Sequence, residues 1–553
     1  MHAMRMLQRF FQWSGRPIET LGGAAFIIAL AGVASRVLGF IRDRLLASSF
    51  GAGDVLDAYY AAFRLPDLVY GLLVLGALSA AFIPVFTGLM AHGEKAKAWR
   101  LVQGALQWLT VILGGAAVVG ILFADQLAAW IAPGFSPEKQ TLVAQLTRIM
   151  LFSPVFLSIS AVVGGVLVSC KQFLTYSFAP VFYNLGIIFG ILVLYPVLGP
   201  AGLAVGVVIG SLLHALVQFP AFWRSGYHLS FLPFRASLQD PALRQVVRLM
   251  IPRSLAMAVN QFGLVIVTVF SSTLASGSLA AFTLAINIQS VPLGLFGIAF
   301  ALASFPVLST LAAKQDHEEF FTVLVRTTQR ILYFVLPLSF LFIIFRAEIV
   351  RIVLGTGAFN WEDTIVTFTV LGWLSISLFA QSLILLFVRA FFALQDTKTP
   401  LFAALFSEVI HLALIPFLLP YFAVAGIAMA FSVGAIVNVI ILYWSLRQRV
   451  SVWRDWEMIS GMLRIAGIAL VAAAVAQFSK GIFALTIGRL DTFVEVAVKL
   501  GVGVLIGGAT YIALSAYFAL PEYRQVKRFI WCRLLRRPET IVLTEDHPEQ
   551  GDW

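Results

Sequence analysis

The chain has 553 residues, of which 60% are hydrophobic and only 12% are charged, with a net charge of +11 at pH 7. Because soluble domains carry about 25% charged residues, this composition excludes an ordinary water-soluble protein and predicts an all-α polytopic membrane protein. The positive charge does not indicate nucleic-acid binding. Lysine and arginine fall mainly in short loops and in the tail, as they do where membrane proteins face the cytoplasm.

The first predicted element is a membrane helix that begins near Leu21. Arg5, Arg9 and Arg16 precede it, as basic residues do in a secretory signal peptide. The apolar run continues beyond signal-peptide length and has no clear small-residue cleavage site, so we interpret it as a retained first helix. Residues 1–20 then form a cytoplasmic segment.

The end of this helix and the next helix carry charge in a strongly apolar context. Between Ser35 and Pro84 the ionisable residues are Arg36, Arg42, Asp43, Arg44, Asp54, Asp57, Arg64 and Asp67. An ionisable side chain at membrane depth costs about 2.5–3.5 kcal/mol and normally faces a bundle interior or a water-filled cavity. The first two helices therefore predict a functional site for a charged, anionic substrate.

Apolar stretches of membrane-spanning length recur along the rest of the chain, and we count about 14 in all. Their predicted centres are Ile28, Leu78, Leu113, Leu157, Ile187, Ile209, Val265, Phe296, Val335, Leu374, Leu405, Ala430, Val471 and Val504. With the N-terminus in the cytoplasm, every second loop should be rich in lysine and arginine. The sequence follows this alternation and predicts that both termini are cytoplasmic. The main exceptions, basic residues in loops predicted to lie outside, are Lys139, Arg346, Arg351, Lys480 and Arg489.

The chain also repeats itself. The segment PAGLAVGVVIGSLLHALVQF from Pro200 resembles VAGIAMAFSVGAIVNVIILY from Val424, a shift of 224. The segment GALSAAFIPVF from Gly76 resembles IAFALASFPVL from Ile298, a shift of 222. Because such a shift spans roughly six helices, an even number, the two copies have parallel orientation and are expected to hold the substrate site between them.

This repeat predicts two six-helix lobes followed by two further helices. We place the N-terminal lobe at residues 21–224, the C-terminal lobe at 225–450, the additional helices at 451–517 and a basic cytoplasmic tail at 518–553. The tail is either a helix on the anionic inner leaflet or a positive-inside anchor. Near the end of the second lobe, Arg389, Asp396 and Lys398 set a cytoplasmic loop in our interpretation, with substrate binding as the alternative.

Several ordered motifs carry a family resemblance. They are SRVLGFIRD from Ser35, FGAG followed by Asp57, FRLPD from Phe63, GALSAAFIP from Gly76, APGF from Ala132, Gln261 followed by LASGS from Leu274, and ALQDTKTP from Ala393. On these the chain resembles the MurJ/MviN family of lipid II flippases, within the multidrug/oligosaccharidyl-lipid/polysaccharide exporter superfamily. The family fold has two six-helix bundles and two C-terminal helices around a central cavity.

The resemblance implies a transporter and not an enzyme. It would move an undecaprenyl-diphosphate-linked peptidoglycan precursor, lipid II, across the bacterial inner membrane by alternating access. The sequence shows no metal-ligand cluster and no Walker-type glycine loop, so we expect no cofactor; a membrane potential or an ion gradient is left open as the energy source. The implied partners are the lipid-linked sugar and membrane lipids, without nucleic acid. Other cell-wall synthesis proteins stay open as partners, and we expect a monomer.

The resemblance also implies the substrate-binding residues. Arg36 and Arg42 match two family arginines of the first helix, Asp57 matches a family acidic residue, and Arg64 falls where the family tends to carry a basic residue. Guanidinium groups can hold phosphate oxygens in a bidentate manner. Arg36 and Arg42 lie about 600° apart in helix rotation, about 120° short of two turns, so a bend near Gly39 or convergence of long side chains would be needed to bring both to one ligand.

This sequence departs from the family in the second lobe. Ile286 and Asn287 stand where the family commonly has Asp-Arg, which removes positive charge from the cavity. Asn287 would then offer neutral hydrogen bonds to the substrate, or would only pack helices. Arg253 is the nearest substitute for the lost charge, unless it snorkels to the inner interface.

Structural interpretations stay open beside these roles. Arg36 and Arg42 could form ion pairs with Asp43 or Asp57, and Asp57 could be a gate, a counter-ion or a plain salt bridge that fixes Arg42. We assign no direct role to Arg44 or Asp67. Three other functions compete: a flippase for another polyprenyl-linked saccharide, an ion-coupled small-molecule exporter, and a membrane scaffold whose tail recruits partners.

Overall fold

The computed structural model describes residues 21–75, 78–226, 233–487 and 492–534. Every regular element in these ranges is helical, which confirms the predicted all-α class. The helices up to residue 238 are α1 (Leu21–Phe50), α2 (Asp54–Tyr70), α3 (Leu78–Ala91), α4 (Lys95–Leu122), α5 (Ala124–Ile131), α6 (Pro137–Met150), α7 (Ser153–Ser169), α8 (Phe173–Phe189), α9 (Tyr195–Leu198), α10 (Pro200–Leu216), α11 (Phe219–Arg224) and α12 (Phe234–Leu238).

The second part of the chain repeats this pattern of long and short helices. Its helices are α13 (Pro241–Ser272), α14 (Ser278–Pro292), α15 (Ala299–Ala313), α16 (His317–Ile344), α17 (Arg346–Leu354), α18 (Trp361–Ile376), α19 (Leu378–Ala393), α20 (Lys398–Phe422), α21 (Val424–Arg449), α22 (Asp455–Ile487), α23 (Phe493–Tyr517) and α24 (Pro521–Leu534). We call the end of the bundle between α1 and α2 the Asp57 end, and the end between α19 and α20 the Asp396 end.

Within the described ranges, ten helical stretches are long and apolar enough to cross a membrane, and the pair α18–α19, bent by 45°, is an eleventh candidate. The chain is therefore a multi-pass membrane protein. The three remaining predicted centres, Ile28, Leu78 and Val265, lie in α1, α3 and α13. The predicted number of about 14 spans is consistent with this arrangement and stays a prediction.

The internal repeat is visible in the helix geometry. A π-helical segment interrupts the second helix of each half, at Gly71–Leu75 and at Leu293–Ile298. Two close helix–helix contacts also correspond: a Cβ atom on Gly202 would meet the backbone of Leu194, and one on Gly426 would meet the backbone of Leu418. Both members of the second pair lie 224 positions after those of the first, which is the offset seen in the sequence. The domain limits given above stay predictions.

A buried carboxylate ties the last two membrane helices to the C-terminal lobe. The side chain of Glu348 on α17 lies 3.0 Å from the ammonium nitrogens of both Lys480 on α22 and Lys499 on α23. Burial alone would raise the pKa of Glu348, but the two ammonium groups hold that pKa below its usual value. At the opposite end, Arg330 of α16 donates to Gln525 of the tail helix α24 at 2.8 Å.

The loop after α19 is organised by Asp396. Its carboxylate accepts hydrogen bonds from the backbone of Lys398 and Thr399 at 3.0 Å and from the Thr399 hydroxyl at 2.6 Å, and it pairs with Arg449 at 2.9 Å. Partial burial opposes ionisation, yet these partners keep the pKa of Asp396 below its usual value. Arg389 donates to the carbonyl of Leu385 on its own helix. These contacts favour the structural interpretation of this loop.

We predict that Gly426→Ala destabilises the protein, because the added Cβ would lie 2.7 Å from the Leu418 carbonyl oxygen and backbone cannot move aside cheaply. Overpacking of this kind costs about 1–3 kcal/mol. The measurement is thermal unfolding of the purified protein in detergent. Gly467→Ala is the matched control, since nothing lies within 4 Å of its Cβ position; an equal loss of stability in both variants would contradict the prediction.

Candidate functional site

A cavity of about 240 Å³ lies between the lobes, where α1 and α2 face α13 and α14. Its charged lining consists of Arg42, Arg64 and Asp67. Its aromatic lining includes Tyr59, Tyr60 and Tyr183, and its remaining polar lining includes Thr283 and Asn287. The cavity thus combines guanidinium groups with ring faces and neutral hydrogen-bonding groups.

Arg42 is held at the cavity wall by three hydrogen bonds. Its Nε and Nη2 donate to Oδ1 of Asp43 at 2.9 and 2.8 Å, and its Nη1 donates to Oδ1 of Asn184 at 3.1 Å. Asn184 in turn donates to the backbone carbonyl of Ser35 on α1 at 3.3 Å. These bonds use three of the five N–H donors of a guanidinium. The ion pair of Arg42 is therefore with Asp43 and not with Asp57.

Arg64 is buried and reaches across the lobe interface. Its Nε donates to the hydroxyl of Thr268 on α13 at 2.7 Å, and its Nη2 donates to the hydroxyl of Thr283 on α14 at 3.4 Å. Both partners are neutral, and among the described side chains Arg64 forms no ion pair. Asp67, one turn further along α2, also lines the cavity, although the sequence analysis gave it no direct role.

Asn287 connects the second lobe to the same network. Its Nδ2 donates to Oδ2 of Asp43 at 3.0 Å, so Asp43 binds Arg42 with one oxygen and Asn287 with the other. Arg36 lies apart: its exposed side chain packs against Gly294 of the π-helical segment. Helix α1 is continuous through Gly39, and the two arginines of α1 do not converge in this conformation. The Arg253 side chain lies outside the described residues.

The side chain of Asp57 lies outside the cavity, at the end of the bundle between α1 and α2. Its carboxylate is 1% exposed and accepts hydrogen bonds from the backbone N–H groups of Gly277 and Ala280, both at 2.8 Å. Gly277 is the N-cap residue just before α14 and Ala280 lies in its first turn, so a residue of one lobe caps a helix of the other. Lys139 pairs with Asp57 at 2.8 Å and with the exposed Asp54 at 2.7 Å.

Other contacts between the lobes cluster around this carboxylate. The backbone N–H of Ala358 donates to the Ser48 carbonyl at 2.8 Å, and that of Gly134 donates to the Ser272 hydroxyl at 3.1 Å. Arg44 donates to the carbonyl of Ile352 at 2.6 Å. The lobes are thus hydrogen-bonded together at the Asp57 end, and Arg44 contributes to that closure.

Several members of this arrangement were not predicted from the sequence. Lys139 had a signal, since it is a basic residue in a loop predicted to lie outside, where lysine is disfavoured. Asn184, Thr268 and Thr283 had none, because isolated polar residues in membrane helices usually serve helix packing. Their positions became informative only when the fold brought them to the two arginines.

The arrangement can bind an anion. A phosphate oxygen at the cavity wall would meet the guanidinium of Arg42 or Arg64 in a partly dehydrated setting, where charge-assisted hydrogen bonds are strong. Asp43 is the internal competitor for Arg42, so anion binding requires exchange of one carboxylate partner for another acceptor. Two repeated helical lobes with such a cavity between them, closed at one end, define an alternating-access transporter.

Residues 46–488 match the family model described as Lipid II flippase MurJ. The chain therefore belongs to this family of transporters, which are not enzymes. A probable lipid II flippase MurJ of Buchnera aphidicola (Acyrthosiphon pisum) is 28% identical over 88% of this chain and 95% of its own length. One of Rhizobium meliloti is 30% identical over 83% of this chain and 85% of its own length. A solved lipid II flippase MurJ in an inward closed conformation superposes with a TM-score of 0.75 at 23% identity, covering 91% and 99% of the two chains.

We predict that Asp57→Ala opens the Asp57 end. The variant removes the acceptor of two hydrogen bonds from the opposite lobe; a hydrogen bond to a charged group is worth about 1.5–3 kcal/mol, enough to shift a two-state equilibrium by roughly tenfold or more. Spin labels at Glu138→Cys and Glu362→Cys, two exposed sites on opposite lobes, would report this as a longer distance in a double electron–electron resonance measurement, with Cys170 and Cys532 replaced by serine.

Asp54→Ala is the control for this measurement. Asp54 also binds Lys139, but its side chain is 67% exposed, and exposed ion pairs contribute about 0–1 kcal/mol. Its distance distribution should match that of the parent protein. Unchanged distances in Asp57→Ala would contradict a sealing role for Asp57.

Proposed function

We propose that this protein is a lipid II flippase of the bacterial inner membrane. It would take undecaprenyl-diphosphate-linked disaccharide-pentapeptide from the cytoplasmic leaflet and release it in the outer leaflet. In this proposal both termini are cytoplasmic, the Asp396 end faces the cytoplasm and the Asp57 end faces outward. The sequence-family match and the alternation of loop charge support these assignments.

The observation that carries the proposal is the pair of guanidinium groups at the lobe interface. Arg42 belongs to α1 and Arg64 reaches Thr268 and Thr283 of the opposite lobe. A diphosphate carries about two negative charges, which two guanidinium groups can match with bidentate hydrogen bonds. Tyr59 and Tyr183 offer ring faces beside these charges, where a sugar can pack.

Arg64, at a position where the family tends to be basic, is the guanidinium that contacts the second lobe, which here lacks a charge that the family commonly carries. Family members commonly carry arginine where this chain has Asn287, and that position here donates a neutral hydrogen bond to Asp43. Arg64 places a positive charge against the same lobe by contacting α13 and α14. The first lobe thereby supplies to the interface a charge that the second lobe lacks.

The present conformation has to open before it can accept the substrate. Its cavity of about 240 Å³ is smaller than the roughly 300–1,000 Å³ of drug-sized ligand sites, and the proposed head group is larger than a drug. The seal around Asp57 keeps the outer end closed, so the substrate would enter from the Asp396 end. Separation of the lobes at the Asp396 end and release of Arg42 from Asp43 would admit the diphosphate. Closure of the Asp396 end after the substrate has entered would break the contacts around Asp57 and open the outer end.

The proposal is tested by native mass spectrometry with undecaprenyl-diphosphate-linked disaccharide-pentapeptide. We predict that Arg42→Ala and Arg64→Ala each weaken binding about tenfold or more, because a hydrogen bond to a charged group is worth about 1.5–3 kcal/mol. Lys97→Ala is the control, since it removes an equal charge from an exposed side chain that pairs with Glu94. Binding that is equal in all four proteins would contradict the proposed site.

A competition experiment separates the contribution of the sugar-peptide head group to binding from that of the diphosphate. Undecaprenyl diphosphate without sugar should bind less tightly than the full precursor, and arginine variants should weaken both. Equal binding of the two lipids would favour a flippase for another polyprenyl-linked saccharide. No selective binding of either lipid to a folded protein would contradict the proposed function.

A further inference from the structure

The carboxylate of Asp67 lines the cavity but takes no part in the diphosphate binding described above. The residue is exposed and lies ten positions after Asp57, about 15 Å further along α2. Its backbone carbonyl accepts a hydrogen bond from Nε2 of Gln261 on α13 at 2.8 Å, which ties this turn of α2 to the opposite lobe. An ionisable side chain at such a depth indicates function.

The side chain of Asp67 has no hydrogen-bond or ion-pair partner among the described residues. Arg64 lies one turn earlier on α2, but its guanidinium donates to two threonine hydroxyls of the opposite lobe. Asp43, the other carboxylate beside the cavity, accepts hydrogen bonds with both of its oxygens. Asp67 therefore offers its carboxylate oxygens to whatever binds in the cavity.

The charges of the described side chains around the cavity cancel. Arg42 and Arg64 contribute two positive charges, Asp43 and Asp67 contribute two negative charges, and Arg36 lies apart from them against Gly294. A diphosphate would add about two negative charges, which the guanidinium groups can bind but which the four side chains together do not neutralise. Uncompensated charge in a partly dehydrated site is costly. The filled cavity therefore calls for about two further positive charges.

A divalent metal cation would supply these charges. Mg²⁺ prefers oxygen ligands, and it is usually bound by one or two carboxylates together with substrate phosphates while it keeps several waters. A carboxylate beside a diphosphate is a site of this kind, and it needs no complete cage of protein ligands. Guanidinium groups and Mg²⁺ act together on phosphate in phosphoryl-transfer sites, so the neighbouring arginines do not exclude the ion.

We propose that Asp67 binds a divalent cation, Mg²⁺, that accompanies the diphosphate, so that the lipid is carried as its metal complex. This inference rests on the proposed flippase function and adds a component to its cargo. The carboxylate would be the protein's ligand, and diphosphate oxygens and water would complete the coordination. The described residues contain no group of three or more His, Cys, Asp or Glu side chains that could hold a metal, so the ion would arrive and leave with the lipid.

The spacing of Arg64 and Asp67 suits this arrangement. Residues three positions apart on a helix share a face, so both side chains reach the cavity from one side of α2. An ion pair between them would occupy the groups that the diphosphate and its metal ion need. Arg64 donates instead to Thr268 and Thr283. With these neutral partners, the guanidinium stays available to phosphate and the carboxylate stays available to the metal.

Two other roles for Asp67 have to be separated from this one. The carboxylate could bind an ammonium group in the peptide of the precursor, or it could only repel the diphosphate and so limit how tightly the lipid binds. Undecaprenyl diphosphate contains no amine, so binding of this lipid excludes the first alternative. The dependence of the Asp67→Asn effect on Mg²⁺ excludes the second.

The test measures the dissociation constant of undecaprenyl diphosphate for the purified full-length protein in detergent, once with EDTA and once with excess Mg²⁺. We expect the parent protein to bind the lipid about tenfold or more tightly in Mg²⁺, since even outer-shell contacts to a metal change its affinity by about 10–100-fold. The same pair of measurements is made with the full disaccharide-pentapeptide precursor.

Asp67→Asn should have opposite effects in the two solutions. With EDTA it should bind undecaprenyl diphosphate at least as tightly as the parent protein, because a charge that repels the diphosphate is gone. With Mg²⁺ it should bind more weakly than the parent, because the ion has lost its protein ligand. A merely structural role would weaken binding equally in both solutions. Asp67→Ser removes the same carboxylate and replaces Asp67→Asn if that variant does not fold.

Asp125→Asn is the matched control. It makes the same chemical change on α5, outside the cavity, at a carboxylate that is 64% exposed and pairs with Arg148 at 2.6 Å. Its Mg²⁺ effect should equal that of the parent protein. This comparison separates the cavity site from Mg²⁺ that binds to the lipid alone or to the protein surface.

Three results would overturn the inference. They are equal binding of undecaprenyl diphosphate by the parent protein in Mg²⁺ and in EDTA, an equal Mg²⁺ effect in the parent and in Asp67→Asn, and an effect of Asp67→Asn that appears only with the amine-bearing precursor. In each case the lipid still binds and the proposed function stands. Absence of selective binding to a folded protein in both solutions would contradict the proposed function itself, and the metal site with it.

Discussion

The buried carboxylate of Asp57 determines which end of the molecule is closed. It accepts hydrogen bonds from two backbone N–H groups at the start of α14, those of the N-cap residue Gly277 and of Ala280, and neutralises Lys139 at the same time. The start of a helix has N–H groups without intrahelical partners, and here their acceptor comes from the opposite lobe. When the lobes separate at this end, α14 loses its cap and Asp57 loses both backbone partners in one step, while Lys139 of the same lobe stays beside it. Closure is therefore cooperative, and the neighbouring backbone contacts of Ser48 and Gly134 follow it.

The two arginines of the cavity are satisfied by neighbouring groups in different ways. Asp43 holds Arg42 through one oxygen and Asn287 through the other, so in the absence of an anion the arginine is neutralised internally. A buried arginine without a partner would be costly, and Asp43 removes this cost while leaving two guanidinium N–H groups available. Among the described side chains Arg64 has no ion-pair partner and donates instead to two neutral threonine hydroxyls. The two guanidinium groups thus differ in how readily they exchange their present partners for phosphate.

Sequence reasoning identified the helices because an apolar stretch of membrane length has few alternatives to a helix. It identified the repeat because glycines at close helix contacts, such as Gly202 and Gly426, cannot be replaced freely. It also named Arg42, Arg64 and Asn287, which the fold brings to one cavity; their role in binding stays a prediction. It could not choose between Asp43 and Asp57 as the partner of Arg42. Such contacts depend on how neighbouring helices are rotated about their axes. The apolar pattern of one helix contains no information about the rotation of the helices packed against it.

The π-helical segments at Gly71–Leu75 and Leu293–Ile298 give the bundle a symmetric pair of joints. Each widened turn inserts one residue and loosens the regular backbone ladder at one level of a long helix. The half of the helix that faces the cavity can then swivel while the other half stays packed in its lobe. Because both lobes carry the joint at equivalent positions, neither lobe has to act as the fixed frame.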